Sequence, residues 1–158
     1  MANIAPVKGD YLCVALDLYS RSNLEPLVAA LGKNVFVLHS GRNKRTYHAR
    51  FQLSKCKKNS NADFEIRSFR ALLDDLEPVG RLLWDSAKIR DFDIGVEAPT
   101  TGYCFIQTLE AETLRTASEV GARIIFTVYP YDNNRFSEME RVERKIAESD
   151  AMVRPAGE

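Results

Sequence analysis

Residues 46–53 read Thr46-Tyr-His-Ala-Arg-Phe-Gln-Leu53, and apolar and polar side chains alternate through the whole stretch. Because successive side chains of a strand lie on opposite faces of a sheet, this period of two predicts an antiparallel strand with one buried face. The other face would carry the polar set, which is Thr46, His48, Arg50 and Gln52. The stretch therefore predicts a sheet that is covered by helices on one side and open on the other.

The neighbouring segments extend this pattern. Residues 11–19 and 91–97 alternate in the same way, with Asp17 in the first polar set and Asp91, Asp93 and Glu97 in the second. Further strands are predicted at 34–39, 103–107 and 122–130, and a turn is predicted at 41–43. The alternation indicates that Asp91 and Asp93 face solvent, although two carboxylates on one strand face could also serve as a catalytic pair.

Helices are predicted between these strands. Ser22 and Glu25 have the spacing of a capping box for a helix that stops at Gly32. The period becomes helical again at 63–77, with a short continuation at 80–87 after Pro78. Thr108 can cap a helix over 109–120, whose apolar side would hold Leu114, Ala117 and Val120.

Together these elements predict an α+β fold, a two-layer sandwich with a mixed or antiparallel sheet and helices on one face. Residues 24–38 and 113–127 share a plan, a helix ending in Gly followed by an apolar strand, which suggests a β-α-β pseudo-repeat. We expect one domain over residues 1–131. Residues 132–158 are predicted to form an appended helix and a frayed tail, with an apolar stripe at Phe136, Met139, Val142 and Ile146.

Composition excludes several classes of protein. The 158 residues include 45% apolar residues and have zero net charge, which argues against a generally basic nucleic-acid binder. No apolar run reaches the length of a membrane span, and the N-terminus lacks the pattern of a signal peptide. We therefore expect a cytoplasmic protein with no membrane association.

The cysteines and histidines predict neither a disulfide framework nor a metal site. Cys13, Cys56 and Cys104 are odd in number and widely spaced, and the only histidines are His39 and His48. Structural zinc needs four nitrogen or sulfur ligands, which these residues could supply only by chance convergence. Cys56 lies between two lysines, which can lower a thiol pKa, but it is more simply a loop residue. No cofactor is expected.

A resemblance covers roughly residues 10–131. Its residues are Phe92-Asp-Ile-Gly-Val-Glu97, Phe105-Ile-Gln-Thr108, and the segment from Leu109 through Gly121 to Pro130 with its apolar spacing. In these positions the chain resembles the small bacterial proteins grouped as domain of unknown function 4279. The resemblance implies a bacterial α+β domain of similar length, and it brings no catalytic residues or cofactor.

Charge is unevenly distributed along the chain. Residues 42–58 contain seven cations and no acid, namely Arg42, Lys44, Arg45, Arg50, Lys55, Lys57 and Lys58. Residues 63–97 contain nine acids. Three interpretations compete: a solvated hairpin, a protein-binding surface in which Arg and Tyr serve as anchors, and a contact with nucleic acid or phosphate. Tyr129 and Tyr131 flank Pro130 and could form an aromatic platform or cover the sheet edge.

No combination of a nucleophile with a base, of metal ligands, or of a cofactor-binding loop is apparent in the sequence, so the preferred hypothesis is a non-catalytic protein-binding domain. Its most specific form is an immunity or antitoxin-type protein that binds and neutralises a cognate toxin. The predicted partner-binding residues are Arg42, Lys44, Arg45, Tyr47, His48 and Arg50. The alternatives are a small-molecule hydrolase or transferase that uses Asp91, Asp93, His48 and a Tyr, and an RNA-associated accessory protein.

Overall fold

A computed structural model describes residues 11–55, 60–99 and 105–130. These residues form one five-stranded sheet in the order β2-β3-β1-β4-β5 and four α-helices. The strands are β1 (Tyr11–Ser20), β2 (Val35–Asn43), β3 (Thr46–Leu53), β4 (Ile89–Glu97) and β5 (Arg123–Tyr129). The helices are α1 (Glu25–Leu31), α2 (Ala62–Asp74), α3 (Pro78–Ser86) and α4 (Ala111–Glu119), and a 3₁₀ turn (Gly32–Asn34) follows α1.

The sheet is mixed. Strand β1 pairs antiparallel with β3 and β4, β2 pairs antiparallel with β3, and β4 pairs parallel with β5. The first four strands, with α1 and the α2–α3 pair, follow the β-α-β-β-α-β plan, and α4 with β5 adds one parallel crossover. The predicted α+β two-layer fold is confirmed.

Alternation along the strands gives the sheet one buried apolar face, which the helices cover, and one polar face. Val14, Leu16 and Leu18 of β1 are buried beneath the helices, together with Phe51 of β3 and Phe92 of β4. The intervening residues face the open side. The periods of two predicted for 11–19, 46–53 and 91–97 therefore hold in the structure.

Three buried side chains tie the helices to the sheet and to one another. The Glu65 carboxylate of α2 accepts a hydrogen bond from the backbone N–H of Val14 at 2.7 Å. The Asp63 carboxylate accepts one from the Glu110 N–H at 2.9 Å and another from the Thr113 hydroxyl. The Trp84 indole N–H donates to the Val120 carbonyl at 3.2 Å.

Several predicted boundaries are wrong for local reasons. Strand β2 continues through 41–43, so the hairpin turn falls at Lys44 and Arg45. Residues 105–107 are not a strand, and 103–104 lie outside the described residues. Helix α3 begins at Pro78 itself, since proline is tolerated at the first helical position.

The predicted helix caps also differ. Helix α1 has Leu24 as its N-cap, without a side-chain cap hydrogen bond, and the Asn23 side chain before it accepts the Glu25 N–H at 3.0 Å. Helix α4 has Glu110 as its N-cap instead of Thr108, and the Glu110 side chain makes no capping hydrogen bond. Thr113 takes the buried position that was predicted for Leu114, which is exposed.

The pseudo-repeat is present in outline. Each of its two helical segments ends at a glycine of positive φ, Gly32 at 52° and Gly121 at 65°. Strands β4 and β5 are neighbours, whereas β3 lies between β1 and β2. The predicted appended helix at 132–158 lies outside the described residues. Tyr131, which could form an aromatic platform with Tyr129 or cover the sheet edge, also lies outside them.

Candidate functional site

The open face of the sheet carries a connected set of charged side chains at its centre. The Arg50 guanidinium of β3 donates to the Asp17 carboxylate of β1 and, at 2.8 Å, to the Asp93 carboxylate of β4. The Thr127 hydroxyl of β5 donates to the other Asp93 oxygen at 2.6 Å. One guanidinium thereby joins three adjacent strands, and a hydroxyl extends the contact to a fourth.

Asp91 belongs to a second pair on the same face. Asp91 lies opposite Asp17 in the register of β1 with β4, so the two carboxylates are cross-strand neighbours. Arg123 of β5 binds Asp91 with two hydrogen bonds of 2.7 and 2.8 Å. Such bidentate pairing satisfies the carboxylate and offsets the repulsion between like charges.

This pairing corrects the expectation that Asp91 and Asp93 face solvent. Each residue is only 8% exposed, because arginines from the neighbouring strands cover it. A single strand's alternation cannot reveal this, since the partners lie in β3 and β5. Both carboxylates are paired with arginines, and the predicted catalytic use of Asp91 and Asp93 stays a prediction.

The environment of Arg50 also fixes its charge. Burial of the guanidinium works to lower its pKa, but the hydrogen bond to Asp93 and the charges of Asp17 and Asp93 outweigh burial and raise the pKa above its ordinary value. The Arg50 cation compensates two carboxylates. Its side chain is 28% exposed, and the predicted role of Arg50 in partner binding stays a prediction.

His48 links this network to the hairpin. Its Nε2 lies 2.8 Å from an Asp17 carboxylate oxygen. The imidazole stacks on the Tyr19 ring, with centroids 4.2 Å apart and planes 5° from parallel, and the His39 ring lies 4.7 Å away on its other flank. Asp17 thus holds the imidazole in place through one nitrogen.

A bulge in β2 brings His39 to this place. The pairing of β2 with β3 shifts between Val37 and His39, so that Leu38 has no counterpart in β3. Without this extra residue, His39 would share the face of Val35 and Val37. Bulges commonly re-aim a side chain in this manner.

The hairpin that follows has an unusual tip. Lys44 has a φ of 55°, in the left-handed region that favours glycine or asparagine. The Arg42 Nε donates to the Lys44 carbonyl at 3.0 Å, and the Arg42 guanidinium lies 5.7 Å from the centre of the Tyr47 ring. These contacts brace the turn, while the Lys44 and Arg45 side chains are exposed.

Between the tip and the histidines lies an open concavity of about 960 Å³. Aromatic rings form one part of its lining and cations another. The lining residues are Tyr19, His39, Gly41, Arg42, Asn43, Lys44, Arg45, Thr46 and His48. This set contains no Asp or Glu, so the concavity presents positive charge beside flat rings.

The six predicted partner-binding residues divide into two groups. Arg42, Lys44, Arg45 and His48 line the concavity. Arg50 is held by Asp17 and Asp93, and Tyr47 packs against the core on the helix-covered side.

Sequence reasoning did not single out Tyr19 or His39 for the site. The register of β1 with β3 puts Tyr19 beside His48, and the 11–19 alternation already placed it on the Asp17 face. His39 had no comparable signal, because its position depends on the bulge.

Within residues 11–55, 60–99 and 105–130, no group of three or more His, Cys, Asp or Glu is placed to hold a metal ion. Cys13 is half-buried in β1, and Cys56 and Cys104 lie outside these ranges. None of the described helices has the length and apolar character needed to cross a bilayer.

Comparisons of the chain with protein-family models, with curated proteins and with solved structures give no match. The resemblance to the domain of unknown function 4279 family therefore stays a prediction.

Proposed function

We propose that this chain is a non-catalytic protein-binding domain that receives an acidic group of its partner in the concavity beside the β2–β3 hairpin. The observation that carries the proposal is the lining of that concavity. The exposed Lys44 and Arg45 line it together with the stacked Tyr19 and His48 rings, and none of the lining residues is an acid. Arginine and aromatic residues are favoured anchors in interfaces, and complementary charge speeds encounter.

The framework behind the concavity supports a binding role. Asp17 and Tyr19 both hold His48 in one orientation. A rigid surface loses little conformational entropy on association, which favours affinity. Neutralisation of a cognate toxin is the most specific form of the proposal, since an inhibitor of this kind needs only complementary shape and charge.

The test starts with co-expression of the chain with the product of the neighbouring gene, followed by titration calorimetry of the purified pair. Reversing the hairpin charge with Lys44→Glu and Arg45→Glu is expected to weaken the complex by at least about tenfold. Arg115→Glu, an exposed cation of α4, is the matched control and should leave the affinity unchanged. A complex with equal affinity in both variants would exclude the hairpin as its docking site.

Arg50 is unsuitable for this test. Reversing its charge would place a third carboxylate beside Asp17 and Asp93, so that any loss of binding would reflect damage to the sheet. Lys44 and Arg45, which are exposed, separate the effect of charge from the effect on folding.

The contact between His48 and Asp17 favours a second candidate, a small-molecule hydrolase or transferase. A carboxylate that orients an imidazole is the usual support of a general base. On this hypothesis Asp17 replaces the Asp91 and Asp93 of the sequence prediction. A metabolite that binds the wild-type protein and is turned over, with turnover lost in His48→Gln, would favour the enzyme over the binding domain.

An RNA-associated role would depend on the same cations. Phosphate contacts make affinity fall steeply with salt, whereas an interface with a few anchors depends on salt more weakly. A salt series on any complex obtained by co-expression therefore separates the two, with nuclease treatment as a control.

A further inference from the structure

We propose that the partner adds a strand to β2, with an acidic, extended segment of another protein lying along this edge of the sheet. The inference rests on the proposed function and states how the partner is bound. Strand β2 is the outermost strand on its side of the described sheet, so one row of its backbone N–H and C=O groups is unpaired by any described strand. Such an edge is a template for an incoming strand.

The exposed apolar side chains of β2 favour the binding of another segment along this edge. Phe36, Val37 and Leu38 are 59, 45 and 51% exposed. Edge strands are normally protected by lysine, proline, inward-pointing charge or a bulge, and Val35 to Leu38 has only the bulge at Leu38 and no charge or proline. Exposure of these apolar side chains to water is unfavourable in the free protein, and a pairing segment with apolar side chains would cover them.

The positive charges near both ends of β2 indicate that the segment bound there is acidic. The sequence from Pro26 to Ala62 contains no Asp or Glu. Arg42, Lys44 and Arg45 lie at the hairpin end of β2, and Lys33 and Lys55 lie at the opposite end, where Ser54 hydrogen-bonds to the Lys33 carbonyl. A complementary segment would therefore be apolar in its middle and acidic at both ends.

The same distribution disfavours a second copy of this chain. In an antiparallel pair of β2 strands, the hairpin of each copy would approach Lys33 and Lys55 of the other. In a parallel pair the two hairpins would lie together. Either arrangement brings like charges into contact, which is destabilising.

The test uses the full chain and a synthetic probe, acetyl-Glu-Glu-Thr-Val-Thr-Val-Thr-Glu-Glu-amide. Binding is followed by amide shifts and by amide hydrogen exchange in NMR spectra. One control peptide has Lys in place of every Glu, and a second has Pro in place of the central Thr. We expect the probe to slow the exchange of β2 amides at least about threefold and to bind at least about tenfold more tightly than either control.

Matched variants locate the probe on the protein. Phe36→Ser is expected to weaken binding about fivefold without changing charge. Leu82→Ser, an exposed leucine of α3, should have no effect. Equal affinities for these two variants, or no binding of the probe at millimolar concentration, would overturn strand addition. Formation of a dimer by the chain alone, abolished by Phe36→Ser, would overturn it as well.

Two patterns of result separate this inference from the proposed function. If the probe shifts His39 and His48 while β2 exchange is unchanged, strand addition is wrong and acidic docking at the hairpin remains. If β2 is protected and Lys44→Glu with Arg45→Glu leaves the affinity intact, docking at the hairpin is wrong.

Discussion

At the scale of single residues, Arg50 holds together the charged side chains at the centre of the open sheet face. The position of Arg50 on the polar side of β3 followed from the alternation at 46–53, but its partners did not. Asp17 and Asp93 belong to β1 and β4, and only strand order brings them to one guanidinium. Arg50, which was predicted for partner binding, is paired with two carboxylates, whereas Lys44 and Arg45 are exposed, and the role of all three in partner binding stays a prediction.

Arg50→Met is expected to lower the free energy of unfolding by about 1–3 kcal/mol, because it leaves Asp17 and Asp93 nearly buried without their shared cation. Urea denaturation followed by circular dichroism measures the change. Arg123→Met is the comparison, since the Arg123 side chain is 62% exposed and its pair with Asp91 is screened by water. A loss in Arg123→Met as large as that in Arg50→Met would contradict this assignment.

Substitution of Lys44, in contrast to that of Arg50, is expected to stabilise the protein. Lys44→Gly is expected to raise the free energy of unfolding by about 0.5 kcal/mol, because glycine adopts a φ of 55° without the clash of a Cβ atom. Arg45→Gly removes an equal charge at a position without a positive φ, and it should reduce stability instead. Thermal unfolding of the two variants in parallel checks the sign, and stabilisation by both would argue against a strained Lys44.

At the scale of elements, the sequence predicted those whose periodicity is local. Strands β1, β3 and β4 were found because each alternates by itself. The bulge at Leu38 was missed because it depends on pairing with β3, and the strand predicted to include residues 105–107 is absent there. The site was affected in the same way, since the bulge carries His39 to His48.

The contact between α2 and α4 is expected to depend on Asp63. Asp63→Ala leaves the Glu110 N–H and the Thr113 hydroxyl without their acceptor, and a loss of about 2 kcal/mol follows for these buried groups. Hydrogen exchange of the first turn of α4 should accelerate more than that of β1. Glu112→Ala, on the exposed side of the same turn, is the control. Uniform acceleration in all elements would contradict a local anchoring role.

At the scale of the whole molecule, one core joins the helices to the sheet, and Trp84 reports on it. Trp84 is the chain's single tryptophan and is fully buried. Its indole N–H reaches the Val120 carbonyl at the end of α4. Both halves of the pseudo-repeat contribute to one buried cluster, and the single domain over residues 1–131 stays a prediction.

Trp84 emission is expected to be blue-shifted in the folded protein and to move to longer wavelength in one transition on urea addition. That transition should coincide with the loss of far-ultraviolet circular dichroism, since a shared core makes unfolding cooperative. Two separated transitions would indicate that the β1–β3 and β4–β5 parts unfold independently.

The central claim is that the basic hairpin and its concavity are the docking surface of this protein. Hydrogen exchange with mass spectrometry, on the purified complex and on the chain alone, tests it most directly. The expected result is slower exchange in residues 36–48 on complex formation, with α3 and α4 unchanged. A complex in which protection falls on α3, α4 or β5 while residues 36–48 exchange as in the free chain would contradict the claim.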